Sequence, residues 1–345
     1  MTTSKFLIFM LVAVFLVGIF AVAGCAPEEA VPEEPDVEEP EDEEPEVDEP
    51  SAVTRVNMGA GWVTGVYYPL AGAMSRIAHT SIDDISLTVE SSGASAVNSR
   101  MIGSMDLDMA IVQNDVAYYA FHGEGAAFEG NPIENMRGMF SLYPEPVQLV
   151  AAAGSGIESP ADLAGKNVAL GPLGSGAEVN ALQVLEAAGL SEDDLASAER
   201  LEAGEAADFL RDGRIDAAFF TVGIGASVID ELSVMTDIYL VNIVGDIAET
   251  LINTYPFYAS VTIPGDAYTD VPEAETISVL SIIVTREDMD ADLVYNFMRG
   301  IFDNIQVIHD AHDVGQLVTL DTALDGMSVP LHPGAERFFE EEGMM

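Results

Sequence analysis

From Thr54 onward, short apolar and often β-branched runs alternate with longer stretches whose apolar residues recur at helical spacing. No other feature restricts the fold as strongly, because strands joined through helices pair in parallel and form an α/β sheet covered by those helices. The pattern predicts strands at 55–58, 85–90, 109–112, 139–152, 167–170, 217–220 and 277–285. It predicts helices at 68–78, 94–102, 115–120, 177–188, 205–211 and 291–309. The last helix carries Leu293, Phe297, Ile301, Ile305 and Ile308 on one face. At 345 residues the chain exceeds the usual size of one compact core, so two α/β lobes with a cleft between them are expected. The apolar run 139–152 would cross between them, leaving 52–145 with 260–345 as lobe 1 and 146–259 as lobe 2. No repeat with a period of 20–50 residues is visible.

Composition removes several function classes. The chain has 59 Asp and Glu against 12 Lys and Arg, a formal charge of −47, yet 49% of its residues are hydrophobic, enough to fold. Nucleic-acid binding is excluded, since it needs clustered basic residues to neutralise phosphates. Lys5 and Lys166 are the only lysines. An acid-coated, lysine-poor surface suits a halophilic setting, where salt screens its self-repulsion. Cys25 is the only cysteine, so an intramolecular disulfide and a cysteine-cluster metal site are both ruled out.

Residues 1–25 read as a targeting segment: Lys5, an apolar run from Phe6 to Phe20, then Ala21, Val22, Ala23, Gly24 and Cys25. The ending resembles the lipobox of prokaryotic lipoproteins, which implies lipidation of Cys25 and a membrane anchor. The alternative is an uncleaved membrane helix with an incidental cysteine, for which the run is barely long enough. Residues 26–51 form a linker with 14 acidic residues between Glu28 and Glu49 and regularly spaced prolines. Charge repulsion and proline hold such a segment extended as a spacer. A calcium- or partner-binding acidic tail is the other reading.

Four polar loops follow expected strands. Residues 171–176, Gly-Pro-Leu-Gly-Ser-Gly, open a helix, where backbone N–H groups and the helix dipole favour a carboxylate or phosphate. No Gly-Lys-Ser/Thr follows, so this is not a P-loop, nor does it match the dinucleotide fingerprint. Taken alone it reads equally as a tight turn. A second glycine-rich loop runs from Gly59 to Pro69 with Thr64, Tyr67 and Tyr68, and a third from Ser91 to Asn98 with Ser92 and Ser95. Val112, Gln113, Asn114 and Asp115 form the fourth. Polar loops at strand ends are where α/β folds place ligands.

Enzyme signatures are missing from the sequence: there is no Gly-x-Ser-x-Gly elbow and no His-Glu-x-x-His. No cofactor motif is present. His309 and His312, with Asp310 and Asp313, could be drawn as a metal site or read as a solvated helix end. His332, between Leu331 and Pro333, reads as a packed turn histidine.

Across residues 54–341 these motifs, in order, resemble the TAXI subfamily of solute receptors of tripartite ATP-independent periplasmic (TRAP) transporters. The resemblance is carried by the stretch from Gly59 to Tyr67, Tyr68 and Pro69, by 92–98, 109–118, 142–145, 162–168, 171–176, 212–217, 255–258 and 330–335. It implies a type II-like, two-lobed periplasmic-binding-protein fold with the ligand in the interlobe cleft. It also implies capture of a small organic acid or amino acid, glutamate- or dicarboxylate-like, and delivery to an ion-gradient-driven membrane permease, without enzymatic turnover. By carry-over the ligand would meet Thr64, Gly65 and Tyr67, then Ser92, Ser95 and Asn98, then Gln113, and Gly174, Ser175 and Gly176 from the opposite lobe. All are neutral groups. Helix-start N–H donors and hydroxyls can hold a carboxylate without a paired arginine. The chain departs from the family at Ala60, Trp62 and Val63, and Trp62 either shields the ligand or caps a lobe. A ligand sensor that uses the same fold to signal to a membrane partner is the alternative, and a neighbouring permease gene would separate the two.

Overall fold

The computed structural model describes residues 53–345. Cys25, the expected signal segment 1–25 and the linker 26–51 lie outside them. Strands β1 (Thr54–Gly59), β2 (Ile85–Glu90) and β3 (Met109–Gln113) alternate with helices α1 (Tyr67–Ser81), α2 (Ser95–Gly103) and α3 (Asn114–His122). A short α4 (Gly125–Phe128) leads into β4 (Met136–Ala152). Next come β5 (Asn167–Ala169), α5 (Gly176–Ala187), β6 (Ser197–Glu199), α6 (Ala203–Arg211), β7 (Ala217–Thr221), α7 (Ser227–Met235), β8 (Ile238–Val241) and α8 (Gly245–Thr254). The chain returns through β9 (Ala259–Ile263) and β10 (Ala274–Arg286) to α9 (Ala291–Asp303), α10 (Ile305–His309) and α11 (Pro333–Glu341).

The strands join in the order β2-β1-β3-β10-β4-β7-β5-β6, with β8 on β4 and β9 on β10. Parallel pairs β1/β2, β1/β3, β5/β6 and β5/β7 form the helix-crossed parts, as the alternating sequence requires. The long strands β4 and β10 run antiparallel to their partners and tie the parallel parts together. Strand β4 pairs with β10 from Met136 to Pro146, then with β7 and β8 from Val147 to Ala152. One apolar cluster packs α1 and α9 against β1, and a second packs α5 and α8 against β5 and β7.

The sequence expected one helix over 291–309. The structure breaks it at Asn304, whose φ of −119° is not helical and whose side-chain amide donates to the Gly300 carbonyl at 2.8 Å. An asparagine that bonds its local backbone competes with the helical ladder. His309 and His312 then point to separate tasks: His309 Nε2 lies 3.0 Å from the Val318 carbonyl, and His312 Nδ1 accepts from the Val314 amide. Among the described residues no group of three or more His, Cys, Asp or Glu is placed to share a metal ion. His332 is buried and caps α11 by accepting from the Gly334 amide.

Asn98 fastens three elements. Its side-chain amide donates to the Ala60 carbonyl at 2.6 Å and the Ile111 carbonyl at 2.9 Å, and its Oδ1 accepts from the Ser92 hydroxyl at 2.6 Å. The residue is fully buried, so truncation leaves those groups without partners or water. Asn98→Ala is expected to cost about 2–4 kcal/mol of stability, measured by urea unfolding in molar salt.

Candidate ligand-binding site

The C-terminal ends of β1, β2, β3, β5 and β7 face one region, where β4 changes partners. Open α/β sheets bind ligands at such a switch point. A small cavity of about 20 Å³ lies there, lined by Gly61, Trp62 and Gly65 after β1, Ala94 and Ser95 after β2, Gln113 on β3, Glu145 on β4, Gly176 after β5 and Thr221 on β7. That volume holds roughly one water.

Three helices start at this cavity. Val66 and Tyr67 begin α1, Ala94 and Ser95 begin α2, and Gly176 and Ala177 begin α5. Helices α1 and α2 have neither a side-chain cap bond nor an acidic residue in the first turn, which leaves their N–H donors and positive dipole ends open. Helix α5 is already capped by Ser175, whose hydroxyl accepts from the Glu178 amide at 3.1 Å. Ala94 holds φ 64° and ψ −145°, a conformation that costs a residue with a Cβ free energy and turns the chain into α2 beside the cavity.

The one ionisable carboxyl in the lining is Glu145. It is buried, its Oε2 accepts from the Tyr67 hydroxyl at 2.7 Å, and its Oε1 accepts from the Tyr143 hydroxyl at 3.3 Å. Burial pushes its pKa up to about 8 against the pull of those hydrogen bonds, and nearby Asp115 adds to the rise. The two tyrosines are pushed well above their ordinary value, first by burial and also by Glu145. Three further lining groups, Trp62 Nε1, Gln113 Oε1 and Thr221 Oγ1, are buried without a hydrogen-bond partner. Buried polar atoms are nearly always paired, so three unpaired ones around one cavity make it the candidate site.

Of the ten residues expected to meet a ligand, Gly65, Tyr67, Ser95, Gln113 and Gly176 line the cavity. The other five are not among its lining residues. Thr64 is exposed, and its carbonyl accepts from the Ser227 hydroxyl at 3.4 Å. Ser92 and Asn98 spend their polar atoms on Ala60 and Ile111. Gly174 donates its amide to Glu178 at 2.7 Å and lines a separate groove, and Ser175 is the cap of α5. Besides the positions carried over, Glu145, Thr221 and Trp62 line the cavity, which adds one carboxyl to an otherwise neutral set. A glutamate inside an apolar run long enough to be buried on both faces was the available signal.

Two glycines are explained by close approach. A Cβ on Gly65 would lie 2.7 Å from Trp62 Nε1, and one on Gly176 would lie 1.6 Å from Gln113 Oε1. Gly176 thus lets α5 press directly on the end of β3.

The sequence matches the NMT1-like family over residues 58–343. The chain belongs to this family. Its architecture is shared with a solved protein from Bordetella bronchiseptica RB50, at 15% identity and a TM-score of 0.51, over 84% of this chain and 82% of that one. The alkanesulfonate-binding protein SsuA from Xanthomonas axonopodis pv. citri, solved with MOPS, matches at 14% identity and a TM-score of 0.49 over 84% of each chain. A putative L-cystine ABC transporter protein from Listeria monocytogenes matches at 13% identity and 0.46, over 78% of this chain and 100% of that one. The fold is the expected α/β class, with the architecture of the Bordetella protein.

Two outcomes follow from this geometry. Glu145 and Asp115, the latter raised by burial to about 6, hold their protons more tightly folded than unfolded. The folded state therefore binds more protons between about pH 4 and 8, and stability falls as pH rises through that window, by up to about 1.4 kcal/mol per pH unit for each group. The ligand-free protein in molar salt should melt higher at pH 5 than at pH 8, and Glu145→Gln should remove most of the difference; an unchanged slope would mean that Glu145 is hydrated. Gly176→Ala should displace the buried Gln113 side chain, lowering stability by about 1–3 kcal/mol as read by thermal unfolding and weakening ligand binding by roughly tenfold or more as read by calorimetry.

Proposed function

We propose that this protein is a lipid-anchored, extracytoplasmic solute receptor of the TAXI type, which captures a small organic acid or amino acid and delivers it to the membrane subunits of a TRAP transporter. The lobes are 52–145 with 260–345 and 146–259, hinged where β4 and β10 cross. The observation that carries the reading is the cavity itself: open helix N-termini and unpartnered buried polar atoms from both sides of the sheet converge on a space too small for a ligand as it stands. Such a site works by closure around its occupant, which supplies the missing partners and favours the closed form. SsuA and the Listeria protein carry binding and transport roles in their names, in keeping with this assignment.

The TAXI assignment rests on the ordered motifs from Gly59 to Ala335, and the anchor on Cys25 after Ala23 and Gly24. The lining offers no second acid or base beside Glu145 to run a proton-transfer cycle, so binding without turnover is the proposed chemistry. No described helix is long and apolar enough to cross a membrane. The attachment proposed for the chain is the lipid on Cys25.

A thermal-shift screen in molar salt against amino acids, mono- and dicarboxylates, nucleosides and sugars tests the receptor role, since a ligand of the native state raises the melting temperature. At least one small acid or amino acid should give a saturable shift, with a decrease in radius of gyration by X-ray scattering. A shift from an uncharged sugar or nucleoside alone would overturn the ligand class. Silence across the panel would move the function to sensing or partner binding.

A further inference from the structure

We infer that Asp115 and Asn180 form a proton-operated clamp between α3 and α5: a hydrogen carried by the Asp115 carboxyl closes the second bond of an acid–amide pair, and its loss opens that bond.

The bonds already present fix how the two groups face each other. Asn180 Nδ2 donates to Asp115 Oδ2 at 2.8 Å and to the Tyr258 hydroxyl at 2.7 Å, so both hydrogens of the amide are in use. The Tyr258 hydroxyl donates in turn to Gln183 Oε1, and Gln183 Nε2 donates to the Tyr119 hydroxyl at 3.0 Å. Turning the Asn180 amide over would set its oxygen against Asp115 Oδ2 and against a tyrosine whose own hydrogen is committed to Gln183. The amide nitrogen therefore belongs on the carboxyl. What remains is one oxygen on each group, Asp115 Oδ1 and Asn180 Oδ1, both buried and neither with a partner.

Two orphaned acceptors on groups already joined by one bond need a single donor. A carboxylic acid and a primary amide supply it themselves, because the protonated carboxyl donates through one oxygen and accepts through the other, while the amide does the reverse. As a carboxylate, Asp115 is acceptor-only and leaves both oxygens unpaired in the interior, which is costly. The surroundings favour the proton. Tyr119 lies near Asp115 on its own helix, Tyr258 after α8 and Glu145 on β4, and none of these is a cation. Charged groups on the neighbouring elements are engaged elsewhere: Arg100 on α2 donates to the Ala127 carbonyl, Arg286 on β10 pairs with Asp108 and Asp288, and Glu178 on α5 pairs with Arg200. No ion pair among the described residues includes Asp115. Burial accordingly pushes its pKa up to about 6 against the pull of its hydrogen bonds.

The ordinary value for such a carboxyl is 3.8, so between about pH 4 and 6 the folded state holds a proton that the unfolded chain has lost. The clamp contributes its full stability below that window and loses it as pH rises through about 6. Helices α3 and α5 fall in the two lobes of the proposed receptor. On that reading, on which this consequence rests, acid fastens lobe to lobe and neutral pH loosens them without any ligand.

Asp115→Asn tests the clamp, since a second amide can make both bonds with Asn180 and has no proton to lose. In molar sodium chloride the purified full chain with Asp115→Asn should melt higher than the wild type at pH 7, and its stability should lose about one proton's worth of pH dependence between about pH 4 and 6. Infrared difference spectra should show the C=O band of a buried protonated carboxyl in the wild type at pH 5, and Asp115→Asn should lack that component. Should that variant fail to fold, Glu145→Gln decides, because it retains Asp115 and should keep a band at pH 5 that disappears at pH 8. An unchanged pH profile in Asp115→Asn, or no such band in Glu145→Gln, would overturn the clamp. Scattering addresses the lobes separately: the radius of gyration of the ligand-free protein should be smaller at pH 5 than at pH 8, and the same at both in Asp115→Asn. A titrating band and pH profile with a constant radius would support the clamp and overturn its place between moving lobes.

Discussion

The fold turns on the exchange of partners by β4. A single strand of 17 residues runs beside β10 and then beside β7 and β8, so the two parts of the sheet share one continuous backbone. At the exchange stand Pro144, Glu145 and Pro146. A change of partner interrupts the hydrogen-bond ladder, and prolines suit that place because they have no N–H to leave unpaired. Between them Glu145 is carried to the centre of the molecule, where the ends of β3 and β7 and the start of α5 also arrive. The position of the site is therefore a consequence of the sheet's connectivity, and the carboxyl's raised affinity for its proton follows from that position.

A second polar group sits between the same two parts. Asn180 on α5 donates to Asp115 on α3 at 2.8 Å and lies against the Tyr258 hydroxyl, which in turn donates to Gln183, while Gln183 donates to Tyr119 at 3.0 Å. Asp115 Oδ1 and Asn180 Oδ1 are left without partners. Burying these groups costs free energy that their mutual bonds only partly offset. The contact between α3 and α5 is thus held with little margin by its own polar groups.

Much of this was legible in the chain. The strand–helix alternation located every parallel strand of the first part and the crossing strand, because buried parallel strands are written as apolar runs. The loop 171–176 was readable as a helix start, and Gly176 does enter the cavity. Ser92 and Asn98 show where sequence reasoning stops. Their residue types suit ligand contact and backbone fastening equally, and the fastening to Ala60 and Ile111 becomes visible only in the distances. Thr221 was lost when the strand 217–220 was ended one residue early, since a threonine after two phenylalanines breaks the apolar run without leaving the sheet. The break at Asn304 was hidden because Leu293, Phe297, Ile301, Ile305 and Ile308 keep helical spacing across it.

The acidic exterior and the cavity pose one electrostatic problem. A chain with a formal charge of −47 repels anions over a distance set by the Debye length, about 10 Å at 0.1 M salt and 3 Å at 1 M. A dicarboxylate would have to cross that field carrying two negative charges. A zwitterion has no net charge and crosses it without penalty. Low salt should slow capture of a dianion steeply and of a zwitterion hardly at all, so the acidity of the exterior itself bears on which small molecules reach the cavity.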